Sequence, residues 1–255
     1  MGDVKKASDG QAMKSAAEHQ DSPEFKGLEA RHVAGLTTEA RESESAALDR
    51  VDQNLDHKVL DHLEIRYGDY IPQERLAAER HQFAQIQGKP ELQQDLATKF
   101  PELSPPERDA ILGYCAGDER HIERNTQTPS TLLHERLHGV SHPEARKILG
   151  NHLYEGITED LATQHPEFHL KLQNTPECYS ENRETVTLLK ARVPEGAFYE
   201  AYFKGDDSRI KGFVDHDLGE GSWSRVKELL AQAEGGNREA LHEAQKILKQ
   251  DRWGS

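Results

Sequence analysis

The sequence predicts an α+β fold that is predominantly helical. Apolar residues recur at helical spacing through most of the chain, prolines punctuate a series of short segments, and only two runs, 63–67 and 120–124, read as strands. The helix expected to begin at Thr128 also carries a pattern of His and Glu that is the main chemical signal in the chain.

Taken in order, residues 1–37 are small and polar. They offer too little apolar surface to offset the entropy of ordering, and read as a disordered leader or delivery segment. From Thr38, the positions Ala47, Val51, Leu55, Val59 and Leu63 repeat every four residues, which predicts a long amphipathic helix. Residues 63–67 then alternate apolar and polar, and read as a short strand before the Gly68-Asp69 turn. Segments 72–86, 90–100 and 105–116 each begin at or near proline and read as short helices. A strand is expected at 120–124. Thr128 can cap the next helix, Pro129 suits its first turn, and Leu132, Leu133 and Leu137 give it apolar faces. Ser141-His142-Pro143 reads as a turn into a second helix over 143–164. Further helices are expected at 186–189, 197–203, 222–233 and 237–250, the last two forming a hairpin about Gly235-Gly236.

Composition narrows the function. The 255 residues carry 32 Lys and Arg against 46 Asp and Glu, a net charge of −14, which opposes nucleic-acid and anionic-membrane partners. No apolar run approaches the length of a membrane-spanning helix, and the first residues lack the apolar core of a secretory signal. The expected location is cytoplasmic, or outside the cell by a route that reads no cleavable signal. Cys115 and Cys178 make no disulfide framework.

The chemical signal is His134-Glu135-Arg136-Leu137-His138, an H-E-x-x-H pattern. On a helix, residues four apart lie on one face, so His134 and His138 present two imidazoles to a single Zn²⁺, with Glu135 close enough to reach its water. A catalytic zinc takes a third protein ligand, and Glu155 on the following helix is the candidate. Glu159, four residues on, suits an outer carboxylate that accepts an imidazole N–H.

This motif, followed by a helix bearing Glu155 and Glu159, resembles the gluzincin metallopeptidases, the thermolysin-like and aminopeptidase-like clan. Glu155-Gly156-Ile157-Thr158-Glu159 looks like the corresponding segment of the aminopeptidase branch and of compact bacterial members. The likeness covers about 35 residues strongly, with a looser likeness from Tyr179 to Asp206. It implies a zincin-like core with few strands, one Zn²⁺ per chain held by His134, His138 and Glu155, Glu135 as general base, and Glu159 as the outer acid. It also implies an edge strand before the motif helix, along which substrate lies extended; 120–124 is the candidate. Tyr154 stands where the family has Asn, and the Gly-rich exopeptidase recognition motif is absent, so an endopeptidase is expected over an aminopeptidase.

On this reading residues 1–37 are the leader, 38–118 a helical N-terminal subdomain, and 119–255 the catalytic core with C-terminal helices. Glu135 takes a proton from the zinc-bound water and returns it to the leaving amine. Candidate donors to the oxyanion are Tyr179, Tyr199, Tyr202 and His216; His216 is preferred, in an expected loop between Asp215 and Asp217. The expected partners are a protein or peptide substrate and, for a secreted effector or toxin, an inhibitory or immunity protein. Hydrolysis of a non-peptide amide is a further reading. The alternative from another class is a non-catalytic zinc-binding or helical protein-interaction module.

Overall fold

The computed structural model describes residues 38–116, 119–125, 128–168 and 180–250. The chain divides into two units, Met1–Asp52 and Gln53–Ser255. The expected leader at 1–37 and the candidate Tyr179 lie outside the described residues. Among those described, the chain is mostly helical with one three-stranded sheet, an α+β arrangement. No described helix is long and apolar enough to cross a membrane.

Helix α1 (Thr38–Tyr67) runs four residues past its expected end. Leu63 and Tyr67 are fully buried while Ile65 is 85% exposed. The alternation at 63–67 therefore conceals an i, i+4 pair, and the expected strand is the last turn of the helix. Pro72 then sets α2 (Gln73–Arg80), which buries Leu76 and Glu79. The rest of that segment is not helical: β1 (Gln85–Gln87) follows.

Pro90 opens α3 (Lys89–Lys99), whose Leu92 and Leu96 form a small separate cluster with Tyr114. Helix α4 (Pro105–Ala110) is capped by Glu107, whose carboxylate accepts the Ser104 amide at 2.7 Å. The expected helix over 105–116 stops there. Ile111 turns extended, and β2 (Gly113–Ala116) takes over, with Ile111 and Tyr114 among the residue types that suit extended backbone.

The strand expected at 120–124 is β3 (Glu119–Glu123). It is central rather than an edge: the order is β1-β3-β2, with β1 parallel and β2 antiparallel to it. The expected subdomain division at 118/119 thus falls between two strands that pair with each other.

The motif helix α5 (Thr128–Val140) starts where the Thr128 hydroxyl accepts the Asn125 amide at 2.8 Å. The expected second helix is two pieces, α6 (Ala145–Leu149) and α7 (Asn151–Thr163). Gly150 separates them at φ +80°, a backbone that disfavours any residue with a Cβ. Beyond lie α8 (Ser180–Lys190), α9 (Glu195–Tyr199) with a π-helical turn at Glu200–Lys204, α10 (Ser208–Leu218), α11 (Ser222–Glu234) and α12 (Arg238–Lys249). Helices α11 and α12 pack together as the expected terminal hairpin.

The centre of the second unit is apolar, but a charged group lies inside it. Arg136, within the motif itself, is fully buried. It donates to Asp56 Oδ1 on α1 at 2.6 Å and to Glu79 Oε2 on α2 at 2.9 Å. Glu79 also receives Arg120 of β3 at 2.6 Å. Gly139 makes room for this pair, since a Cβ there would overlap both Arg120 Nη2 and Glu79 Oε2. Removing one member of a buried ionic group strands its partners, so Arg136→Met should cost about 3–5 kcal/mol of folding stability, measured by urea unfolding. A loss under about 1 kcal/mol, the range of exposed pairs, would show that the cluster does not fix the helix.

Candidate metal centre

Helix α5 turns about 100° per residue, so its buried Arg136 face lies away from the face that carries His134 and His138. Those two rings meet edge to face, with Nε2 atoms 3.1 Å apart. Helix α7 packs against α5 and brings in Glu155, whose Oε2 lies 3.6 Å from His134 Nε2 and 3.2 Å from His138 Nε2. All three side chains are nine-tenths buried or nearly so.

These distances test the metal reading. Tetrahedral bonds of about 2.0–2.1 Å to zinc place neighbouring ligand atoms about 3.3 Å apart. The three separations bracket that value, and two imidazoles with one carboxylate is a catalytic-type donor set. The residues fit zinc.

Outer partners orient the three side chains. Glu159 Oε2 lies 3.2 Å from His134 Nδ1, which turns Nε2 toward the common point. Thr158 Oγ1 lies 3.4 Å from His138 Nδ1. The second oxygen of Glu155 accepts Arg146 Nη2 at 2.7 Å, and the Arg146 guanidinium sits over the Tyr154 ring. Tyr154, standing where the resembled family has Asn, stacks on His138 at 4.8 Å, and its hydroxyl meets Ser141 Oγ at 2.9 Å.

Glu135 lines the same cavity, of about 550 Å³, together with the three ligand candidates. Its neighbours there include Arg75, Arg120, Arg146 and His142. The edge strand reaching this cavity is β2, through Tyr114, and Gly113 of β2 lies against Thr131 and Glu135.

Of the expected oxyanion donors, the three among the described residues do not line the cavity. His216 is not in a loop: it occupies the last turn of α10, 83% exposed, beside Asp217, and does not line the cavity. Gly219, at φ +103°, ends that helix after the histidine rather than before it. Tyr202 is fully buried, its hydroxyl 2.6 Å from Thr158 Oγ1 and its ring stacked behind Tyr154. Tyr199 packs in the core against Tyr67 and Tyr70. Cys178 lies outside the described residues; Cys115 is in β2.

Sequence reasoning gave Arg146 and His142 no role in the site. An arginine on a short helix carries no motif. His142, read as part of a turn, accepts the Glu144 amide at Nδ1 at 3.1 Å, which leaves the proton of the neutral ring on Nε2.

Compared with protein-family models, curated proteins and solved structures, the chain gives no match.

The electrostatics make a pH prediction. Burial opposes a charge on His134, but hydrogen bonds to Glu155 and Glu159 outweigh it and raise the pKa to about 10. Burial likewise opposes a charged Glu155, yet the two histidines hold its carboxyl far below the usual range. The metal-free protein therefore carries a proton on His134 below about pH 10, and a metal must displace it. Zinc affinity should rise about tenfold per pH unit from pH 7 to 9, with about one proton released, read by calorimetry in buffers of different ionisation enthalpy. Binding without proton release would show that His134 is already neutral in the metal-free protein.

Proposed function

We propose that this chain is a zinc-dependent metallopeptidase, an endopeptidase built on a zincin-like core. The observation that carries this reading is the convergence of His134, His138 and Glu155 at zinc-ligand spacing, in one cavity with Glu135. The sheet beside the motif helix and the ligand helix behind it support the same reading.

His134, His138 and Glu155 would hold the metal, with Glu159 and Thr158 orienting the imidazoles and Arg146 restraining the outer oxygen of Glu155. Zinc bound there supplies a Lewis acid that polarises a carbonyl and makes water acidic near neutral pH. Glu135 takes the proton of the attacking water and gives it to the leaving amine. Among the donors that line the cavity, Arg146 and His142 Nε2–H serve the developing oxyanion in place of His216 and Tyr202. An extended peptide adds to the β2 edge by main-chain hydrogen bonds, which places a scissile bond beside Glu135. A protein substrate presented as an unfolded or loop segment suits that geometry, for a housekeeping peptidase or a secreted effector alike.

Glu135→Gln separates chemistry from binding. The variant should keep its fold and its zinc while cleavage of an unfolded protein such as casein falls at least about a hundredfold, the scale of general-base catalysis. Unchanged cleavage by the variant would contradict the peptidase reading. A wild-type protein that holds zinc but cleaves nothing would favour the non-catalytic zinc-binding module.

A further inference from the structure

A second group of metal-competent side chains converges outside the cavity. His62 lies on α1, and His165 and Glu167 lie in the turns after α7. His62 Nε2 is 2.8 Å from His165 Nδ1 and 3.1 Å from Glu167 Oε1, and His165 Nδ1 is 3.9 Å from the same oxygen. Two imidazole nitrogens and a carboxylate oxygen therefore surround one point. The spread brackets the separation of about 3.3 Å for tetrahedral zinc ligands. Glu167 is half-exposed, so its carboxylate is free to rotate and close the longest distance.

The surroundings are those of a ligand set. His165 is only 3% exposed, and its Nε2 is occupied by the Tyr67 hydroxyl at 2.8 Å, so Nδ1 is the nitrogen left to face His62. A hydrogen-bond partner on the far ring nitrogen is what orients a ligating histidine. The Phe168 ring meets His62 edge to face at 5.2 Å and walls one side. Between two facing ring nitrogens only one proton fits, whereas a cation satisfies both lone pairs and the carboxylate together. Two nitrogens and one oxygen suit zinc or a similar borderline cation, not calcium or magnesium.

We propose that His62, His165 and Glu167 bind a second divalent cation of the zinc type. The site is structural: it staples α1 to the exit of α7, the helix that carries Glu155 and Glu159. It stands independently of the peptidase reading.

The test is zinc content after dialysis against a small excess of zinc, with thermal melting, on wild type, His62→Gln, Glu167→Gln, His134→Ala and the His62→Gln/His134→Ala double variant. The proposal expects two zinc per wild-type chain, one in each single variant, and none in the double. Added zinc should raise the melting temperature of His134→Ala and leave that of the double variant unchanged. Glu167→Gln changes a half-exposed side chain and keeps the test open if His62→Gln fails to fold. Wild-type zinc content in both His62→Gln and Glu167→Gln, or no thermal response of folded His134→Ala to zinc, would overturn the second site and leave a hydrogen-bonded triad. Wild-type content in His134→Ala would instead overturn the cavity site while leaving this one standing.

Discussion

The buried guanidinium of Arg136 is the constraint on which the rest of the second unit depends. A charge in an apolar interior is tolerated only when its partners are fixed around it, because the Coulomb gain must offset a desolvation cost of several kcal/mol per ion. Asp56 from α1 and Glu79 from α2 supply those partners, and Arg120 ties Glu79 to the central strand. A slip of α5 by one residue would take Arg136 from both carboxylates and leave the buried charges of Arg136 and Asp56 unmatched. The back of the motif helix is thereby locked, and its front presents His134 and His138 in one fixed register. The same residue is an unspecified position of the H-E-x-x-H pattern.

The front face is organised by layers rather than by one contact. His138 stacks on Tyr154, Tyr154 on Tyr202, and the Tyr202 hydroxyl returns to Thr158, which reaches the far nitrogen of His138. Tyr202, sought as a donor to substrate, acts instead through this closed stack. The Arg146 guanidinium over Tyr154 holds one oxygen of Glu155 and leaves the other for the histidines. The site balances cations against carboxylates within a chain of net charge −14, so its chemistry is set locally rather than by the overall field.

What was legible in the sequence follows from period and spacing. The motif helix, the placement of Glu155 and Glu159, the strand at 119–123 and the terminal hairpin all rest on signals contained in a few turns. Failures came where one pattern fits two structures. Residues 63–67 satisfy both a strand alternation and a helical i, i+4 pair, and burial of Leu63 and Tyr67 decides for the helix. Residues 105–116 look helical until the pairing of β2 with β3 claims their second half. The helix expected over 143–164 runs through Gly150, whose positive φ breaks it and which no local pattern announced. His165 is buried because Tyr67 and His62 come from a helix about a hundred residues earlier. Arg146 and His142 lie within eight residues of His138, yet no motif marks either as lining the cavity.

The central claim is that His134, His138 and Glu155 share one metal ion, and anomalous diffraction at the zinc edge from zinc-loaded crystals tests it most directly. The account predicts a peak at about 2.0–2.2 Å from His134 Nε2, His138 Nε2 and a Glu155 oxygen together. A zinc-loaded crystal with no anomalous density between those three atoms would contradict it.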